Sequence, residues 1–237
     1  MSKTFIQKHR PKRIEDVFLA PDTRKEINRI LRHGLDYHLT FWGLTGTGKT
    51  TLAKLIGENQ KNTDVVYRKY GLSDKKDAQI NKLIIDSVGG RTILLQDRLF
   101  ILDELDNLTD RGLAKFNALL EDYDEHARFI LILNDSTRIT NKIKSRSRVL
   151  QIQHAVYDRK KRDIIYYPEF KKAEYKKELE KLFNRIVEDE KVNPQDRDEI
   201  QKRAFSDKED LVEIREFVRQ IGIHITDVQD ERLDKGE

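Results

Sequence analysis

The sequence has 237 residues, of which 46 are Lys or Arg and 42 are Asp or Glu, giving a formal net charge of +4. With so small a net charge, any polyanion must be bound by local patches of basic residues rather than by the charge of the whole protein. The absence of cysteine excludes disulfides, thiolate chemistry and Cys-based zinc sites. No apolar signal region or membrane-spanning run is recognised, so we expect a soluble protein of a cytoplasmic-type compartment.

Short apolar runs alternate with amphipathic stretches between Leu39 and about Gln153. The runs that read as strands are "LTFWG", "DVVYRKY", "RLFILDE", "RFILILN" and "SRVLQIQ"; those that read as helices are "TTLAKLIGENQ", "KDAQINKLIIDSV" and "RGLAKFNALLEDYD". This alternation is typical of a buried, mostly parallel sheet covered by helices on both faces. We therefore predict an α/β domain over residues 1–155, built on a five-stranded sheet.

The composition changes after Ala155, where charged helical segments replace the apolar runs. Three helices and no strands are predicted, forming a small helical domain over residues 156–225. On the third of these helices apolar residues recur at three- and four-residue spacing, which predicts core positions at Leu211, Ile214, Val218 and Ile221. The last residues, 226–237, are polar and are expected to be a flexible tail.

The segment "GLTGTGKT" fits the phosphate-loop pattern G-x-x-x-x-G-K-[ST] and lies between a predicted strand and a predicted helix. Its glycines allow the backbone N–H groups to converge on phosphate oxygens at a helix N-terminus. Lys49 would reach the β and γ phosphates, and Thr50 would bind Mg²⁺. The predicted nucleotide-binding residues of this segment are Gly43, Leu44, Thr45, Gly46, Thr47, Gly48, Lys49, Thr50 and Thr51.

Polar residues also end two of the predicted apolar strands. Asp103 follows "LFIL" and is placed to hold Mg²⁺, while Glu104 beside it is a candidate to polarise an attacking water. By themselves, adjacent acids at a strand end are as often a helix cap or a solvated turn. Asn134 follows "RFILIL" and could orient water or contact a γ-phosphate, although asparagine also simply ends strands.

The four segments that carry a family resemblance are "KHRPKRIEDVFL", "GLTGTGKTTLAK", "LFILDELDNLT" and "NKIKSRSRVLQI". In this order they resemble the AAA+ ATPases, and more closely the ATPase subunits of sliding-clamp loaders, namely the small subunits of replication factor C and the phage clamp-loader ATPase. The resemblance extends over roughly residues 5 to 222. It implies an AAA+ phosphate-loop fold followed by an all-helical lid domain, and Mg²⁺-dependent hydrolysis of ATP.

The resemblance also implies roles for residues outside the phosphate loop. Arg146 matches the arginine finger that completes a neighbouring subunit's ATP site, whereas Arg148 is as readily a helper as a salt-bridge residue. An isolated R-x-R pair would more often be a solvated basic surface. Arg215 matches a lid arginine that reaches the nucleotide of its own subunit, with Arg219 as the alternative register. The nucleotide-binding residues implied at the N-terminus are His9, Arg10 and Pro11, with His9 standing where the family usually has tyrosine.

The function implied is ATP-dependent loading of a sliding clamp onto primer-template DNA during replication. The partners implied are other loader subunits arranged head to tail, the clamp, and DNA bound through its phosphates. The compartment would be the cytoplasm, the replication compartment of a host cell or, in a eukaryote, the nucleus. Alternatives are another AAA+ machine, such as a helicase loader or branch-migration motor, and a nucleotide-gated scaffold without turnover.

Three further expectations concern the surfaces used by the partners. A third helical domain, the collar, is implied after the lid and is not recognised before Glu237, so we expect either a longer chain or a different mode of assembly. The segment "INKLIIDSVGGRTILLQ" is the candidate clamp contact, and a buried extra strand is the alternative interpretation of its apolar residues. The candidate phosphate-contacting cations are Lys75, Lys76, Lys82, Arg91 and Lys115, for which a solvated surface is the default alternative.

Overall fold

A computed structural model describes residues 4–61, 63–70, 97–122, 127–152, 155–166, 171–208 and 210–235. The described residues form two compact units. The described residues within 22–44 and 49–152 form an α/β unit, and those within 1–21, 45–48 and 153–237 form a second unit. Residues 1–21 and 45–48 thus group with the C-terminal part of the chain, whereas the expected division placed a single boundary at 155.

The secondary structure is as follows in chain order. The helices are α1 Phe5–Lys8, α2 Pro21–His33, α3 Lys49–Glu58, α4 Asp110–Asp122, α5 Asn141–Arg146, α6 Lys172–Asp189, α7 Pro194–Ala204 and α8 Ile214–Lys235. The strands are β1 His38–Trp42, β2 Thr63–Lys69, β3 Asp97–Asp103, β4 Ala127–Leu133, β5 Ser147–Gln151, β6 Ala155–Asp158 and β7 Asp163–Tyr166. Short 3-10 turns occur at Ile14–Asp16, Leu105–Asn107, Ser136–Arg138 and Asp210–Val212.

The sheet of the α/β unit has the order β2-β3-β4-β1-β5, and each neighbouring pair is parallel. The predicted five-stranded parallel sheet is therefore confirmed. Because all five strands run in the same direction, the ends of β1 and β3 lie on one edge of the sheet. The phosphate loop leaves β1 there, and Asp103 ends β3 there.

The strands with unbroken apolar runs form the core of this sheet. Leu99 to Leu102 on β3 and Phe129 to Leu133 on β4 are almost fully buried. The rings of Phe100 and Phe129 stack at 5.2 Å across these two strands. Since both faces of a central parallel strand are covered, an apolar run rather than an alternating pattern is the expected sequence.

The helices α6, α7 and α8 surround the core of the second unit. Tyr175, Phe183 and Phe217 are among its largest buried side chains, and the Tyr175 hydroxyl donates a 2.6 Å hydrogen bond to the carbonyl of Leu211. The apolar spacing predicted near the C-terminus is confirmed: Leu211, Val218 and Ile221 are buried and Ile214 is partly buried, with Leu211 in a 3-10 turn rather than in the helix.

The prediction of no strands after Ala155 was wrong, because β6 and β7 form an antiparallel hairpin there. Asp158 stabilises its turn: one carboxylate oxygen accepts hydrogen bonds from the backbone N–H groups of Lys160 and Lys161, at 2.9 and 3.2 Å. The segment "DIIY" that follows is rich in β-branched residues, which favour strands. The charged composition of "DRKKRD" favours a helix, but an Asx turn forms there instead.

The prediction of a flexible tail was also wrong for residues 226–235, which continue α8 to Lys235. Ile225 and Val228 extend the apolar stripe of the helix and are buried at 6% exposure each. Arg232 adds an ion pair of 2.9 Å to Asp196 on α7. The polar composition gave no sign of this helix, which is stabilised by about one buried apolar residue per turn.

Several predictions lie outside the described residues. These are the helix "KDAQINKLIIDSV", the candidate clamp contact that includes Leu94, and the cations Lys75, Lys76, Lys82 and Arg91; Lys115 lies on α4, but its side chain is likewise outside. Within the described part of the chain, no helix is long and apolar enough to cross a membrane.

Candidate nucleotide site

The phosphate loop turns on glycines that adopt left-handed backbone conformations. The φ angles are 87° at Gly46 and 96° at Gly48, values that other residues adopt only at a cost. A Cβ added to Gly46 would also lie only 3.2 Å from the Cβ of Arg215. Both the conformation and the close approach therefore require glycine at position 46.

Lys49 opens helix α3, and its side chain folds back over the loop. Its Nζ donates hydrogen bonds to the carbonyls of Gly43 and Leu44, at 2.6 and 2.7 Å. Lys49 is only 5% exposed, so the ammonium group is held in the concave side of the turn rather than in bulk water. A cation fixed at the start of a helix adds to the positive end of the helix dipole and favours a bound anion.

Thr50 and Asp103, the two predicted magnesium ligands, contact each other directly. The hydroxyl of Thr50 donates a 2.8 Å hydrogen bond to Oδ2 of Asp103, which is 4% exposed. The Tyr67 hydroxyl donates to the same oxygen at 2.9 Å. A hydroxyl and a carboxylate are oxygen donors of the kind that Mg²⁺ prefers, so these residues fit the ion.

Glu104 follows Asp103 in a strained backbone conformation, with φ 59° and ψ 43°. Its carboxylate forms a 2.9 Å ion pair with Lys69, and Asn107 lies at 3.5 Å from its second oxygen. Left-handed non-glycine residues cost free energy and cluster at functional sites. The backbone turn thus directs Glu104 away from the path of β3 and beside Asp103, where two neighbouring side chains hold its carboxylate.

Asn134, which follows β4, is held by one carboxylate. Oδ2 of Asp106 accepts hydrogen bonds from the Asn134 backbone N–H at 2.6 Å and from its side-chain amide at 3.1 Å. Asp106 lies in the turn after Glu104, so the ends of β3 and β4 are tied together. The amide nitrogen of Asn134 is engaged within the protein, which leaves its carbonyl oxygen for other partners.

Arg146 is the last residue of α5 rather than the first of a strand. Ser147 fixes this helix end, because its buried hydroxyl donates to the carbonyl of Ile143 at 2.8 Å and shares a 2.6 Å hydrogen bond with Thr40. The Arg146 guanidinium donates to the Lys142 carbonyl at 3.2 Å. Arg146 is thus a partly exposed arginine at a fixed helix end, and its role toward a second subunit stays a prediction.

Arg148 differs from Arg146 in its surroundings. It lies on β5, its side chain is 61% exposed, and it pairs with Glu26 of the same chain at 3.8 Å. An exposed pair of this length contributes little free energy. The salt bridge of the second interpretation is thus present, and a helper role for Arg148 stays a prediction.

Arg215 and Arg219 both lie on α8, where they have different surroundings. Arg215 is the residue that approaches Gly46 of the phosphate loop. Arg219 forms an ion pair with Glu216, three residues before it on the same helix. Of the two, Arg215 is placed as the resemblance implies, and its role toward a nucleotide stays a prediction.

His9 is buried against the end of α6. Its Nε2 hydrogen-bonds to Glu190, and its Nδ1 lies 3.6 Å from Asp189. Lys8 also donates to Glu190, at 2.7 Å. His9 thus links the N-terminal segment to α6, a contact called the tie below. Arg10 is exposed and Pro11 is half-buried. Adenine contacts by these three residues stay a prediction.

The tie at Glu190 predicts a pH dependence of stability. Burial favours the neutral acid, but hydrogen bonds from Lys8 and His9 outweigh it and lower the pKa of Glu190. A lowered pKa gives stability that is present above the unfolded pKa and is lost as the pH falls through the folded one. We expect Glu190→Gln to reduce the free energy of unfolding by about 1–2 kcal/mol at pH 7, and we expect the difference from the unsubstituted protein to shrink as the pH falls below the unfolded pKa of the carboxyl group.

Chemical denaturation at several pH values measures this difference. Glu188→Gln is the matched control, because Glu188 is exposed and two residues away. A difference for Glu190→Gln that stays constant from pH 7 to pH 3 would show that ionisation of the carboxylate is not what stabilises the tie.

Comparison with known families identifies the domain that carries the phosphate loop. Residues 39–155 match the profile of the ATPase family associated with various cellular activities, abbreviated AAA. The matched range includes Lys49, Asp103, Glu104 and Arg146. The chain carries an AAA domain.

Curated relatives of this AAA protein are named as replication factors. The replication factor C small subunit of Saccharolobus solfataricus is 29% identical, over 76% of this chain and 56% of that protein. That of Sulfurisphaera tokodaii is 30% identical, over 76% and 57%. Replication factor C subunit 4 of Encephalitozoon cuniculi is 28% identical, over 62% and 48%. The chain thus spans about half the length of the curated relatives it matches.

Solved structures share the fold of the AAA protein. A variant of Thermotoga maritima RuvB matches with a TM-score of 0.64 at 16% identity, covering 94% of this chain and 73% of that one. The Aeropyrum pernix Orc1 protein in complex with DNA matches with a TM-score of 0.57 at 16% identity, covering 93% and 65%. The AAA+ phosphate-loop fold is therefore shown, and at these identities the likeness is one of fold alone.

Two residues near the site were not singled out from the sequence, Tyr67 and Lys69. They lie on β2, which pairs with β3 in a register that sets Lys69 opposite Asp103. Side chains two apart on a strand face the same side, so both reach the acids that end β3. The polar residues of "YRK" in a predicted strand were the available signal. The sequence does not show, however, that this strand is the neighbour of β3, because that depends on the order of strands in the sheet.

Proposed function

We propose that this AAA protein is an ATPase subunit of a clamp-loader assembly, which loads a sliding clamp onto primer-template DNA. The observation that carries the proposal is the 2.8 Å hydrogen bond between Thr50 and Asp103, because it brings the phosphate loop and the acidic end of β3 together. The names of the relatives support clamp loading in particular.

The residues of the AAA domain would divide the work of hydrolysis. The loop backbone and Lys49 would bind the ATP phosphates, and Thr50 with Asp103 would hold Mg²⁺, which supplies charge neutralisation at the phosphates. Glu104 would take a proton from the attacking water. Asn134 would accept a hydrogen bond from the water through its carbonyl oxygen. Contact with the γ-phosphate would instead need its amide nitrogen, which Asp106 engages, to reorient.

Arg146 would act on the site of a neighbouring subunit. One chain that carries both a phosphate loop and such a finger implies head-to-tail association, in which each subunit completes the next. The proposed partners are thus like or identical subunits, the clamp, and primer-template DNA. DNA would be bound through its phosphates, since a loader must act at any primer junction.

The rate of ATP hydrolysis in the assembled protein is expected to rise several-fold when the cognate clamp and primed DNA are present together. The physical reason is that both ligands would favour the assembled arrangement in which the sites are complete. Release of inorganic phosphate measures the rate, with Glu104→Gln as the inactive control.

Three outcomes would contradict the proposal. Stimulation by a branched DNA without the clamp would favour a branch-migration motor, and stimulation by a helicase alone would favour a helicase loader. Tight ATP binding without hydrolysis under any of these conditions would favour a nucleotide-gated scaffold.

A further inference from the structure

The hairpin of β6 and β7 is anchored in the second unit at its base. Ala155 is fully buried, and Ile164 and Tyr166 pack against the core formed by the helices. The rings of Tyr166 and Tyr175 meet edge to face, with centroids 5.3 Å apart. An anchored base holds the turn of the hairpin at a fixed place on this unit.

The turn itself consists of four consecutive basic residues, all of them exposed: Arg159, Lys160, Lys161 and Arg162. The hydrogen bonds that close the turn come from backbone N–H groups to the Asp158 carboxylate. Any residue can supply those N–H groups except proline. These hydrogen bonds therefore do not depend on the side chains of Lys160 and Lys161.

Arg162 ends the turn with a φ of 52°, in the left-handed region. Glycine or asparagine would adopt this conformation at a lower cost, because the Cβ of other residues crowds the following carbonyl. An arginine at a position whose backbone favours glycine indicates a role for its side chain outside folding.

Basic residues outnumber acidic ones in the turn sequence from Asp158 to Asp163. Of the two aspartates that flank the turn, Asp158 accepts from the backbone and Asp163 forms a 2.9 Å ion pair with Lys208. Between Asp158 and Asp163, four cations thus stand against these two carboxylates. The four turn cations are adjacent and are interrupted by neither an acidic nor an apolar residue.

We infer that the turn Arg159–Arg162 is a contact site for the phosphate backbone of DNA. Adjacent exposed cations match a regular row of phosphates, which lie about 1.7 Å apart along a duplex axis when both strands are counted. They carry no arrangement for reading base edges, so binding is independent of sequence. The inference rests on the proposed function only for the choice of primer-template DNA as the ligand.

The test compares DNA affinity across substitutions of the full chain, measured by fluorescence anisotropy with a labelled primer-template at salt concentrations of about 50 to 200 mM. The triple substitution Lys160→Ala, Lys161→Ala and Arg162→Gly is expected to weaken binding about tenfold or more at the lowest salt. It should also reduce the slope of log affinity against log salt by about 2 to 3, close to one for each phosphate that is no longer neutralised. The matched control removes three exposed charges elsewhere: Lys61→Ala, Lys177→Ala and Lys202→Ala.

Arg162→Gly alone separates binding from folding. The substitution removes the cost of a left-handed backbone at a residue with a Cβ, so the melting temperature is expected to be no lower than that of the unsubstituted protein. The DNA affinity is expected to fall, and the slope of log affinity against log salt to decrease by about 1. Arg162→Lys should keep most of the affinity, because phosphate contact needs only the charge.

Other outcomes would overturn the inference. Equal reductions of affinity in the turn variant and the control would show an effect of net charge alone, and unchanged affinity in the turn variant would show that the turn does not touch DNA. If the turn variant keeps its full DNA affinity but no longer binds the clamp, the turn contacts an acidic surface of a protein and not DNA. Basal ATP hydrolysis is measured in parallel. If the unsubstituted protein does not hydrolyse ATP but the turn variant still binds DNA more weakly than it does, the proposed ATPase function is wrong and the DNA contact site is supported.

Discussion

Lys49→Ala is expected to lose ATP binding, whereas Glu104→Gln is expected to keep binding and lose turnover. Lys49 is held in the concave side of the phosphate loop, where its charge would meet the ATP phosphates. Glu104 lies beyond Asp103, paired with Lys69, and its proposed role begins only when water attacks. General-base catalysis of this kind is worth about 10²- to 10⁴-fold in rate, so the Glu104 variant should fall by that factor.

Titration with a fluorescent ATP analogue and single-turnover hydrolysis separate the two effects. Glu104→Gln also removes the ion pair to Lys69, so Lys69→Met is the matched control, since it breaks the same pair and keeps the carboxylate. If the Glu104 variant fails to bind while the Lys49 variant binds, the two roles are assigned wrongly. If Lys69→Met alone removes as much turnover as Glu104→Gln, the reduced rate reflects the broken pair and not the missing base.

The sheet could be predicted because its strands are buried on both faces. "LFIL" before Asp103 and "FILIL" before Asn134 are apolar runs that a parallel sheet requires, and each is followed by a polar residue at the strand end. The phosphate loop adds glycines whose left-handed conformations leave few alternatives. Asp103 and Thr50 were thus expected on one edge of the sheet before any contact between them was known.

The hairpin and the end of α8 could not be predicted, because local charge hid the structure. "DRKKRD" has helical composition, and the Asp158 side chain that turns the backbone there gives no signal distinct from an N-cap. The end of α8 is held by Val228 and by Arg232, which pairs with Asp196 on another helix. Contacts between elements that are distant in sequence decide both cases.

The candidate site shows the same division. The acids at the end of β3 follow from one strand, but Lys69 reaches Glu104 only because β2 is the neighbour of β3. The same holds for His9, whose partner Glu190 is 181 residues away. Sequence patterns predict which residues carry chemistry, while sheet order and helix packing decide which side chain holds them in place.

Arg146→Ala is expected to keep ATP affinity and to lower hydrolysis in the assembly by about 10³- to 10⁵-fold. The loop, Thr50 and Asp103 of the same chain are untouched, so its own nucleotide binding should remain. Charge that develops on a transferred phosphoryl group is stabilised by a guanidinium, and removing it affects the rate and not the ground state. Arg148→Ala is the matched control, because Arg148 is two residues away and pairs with Glu26 of its own chain.

Mixing the variants tests whether Arg146 acts on a second subunit. A Lys49→Ala subunit supplies an intact Arg146, and an Arg146→Ala subunit supplies an intact phosphate loop, so together they should recover part of the activity that each lacks alone. Recovery should rise with protein concentration, since a shared site needs association. Size-exclusion chromatography with light scattering must show that the mixed assembly forms, with clamp and primed DNA present. If the assembly forms and no mixing ratio restores hydrolysis, Arg146 does not act in trans, and the head-to-tail completion of sites proposed for it is wrong.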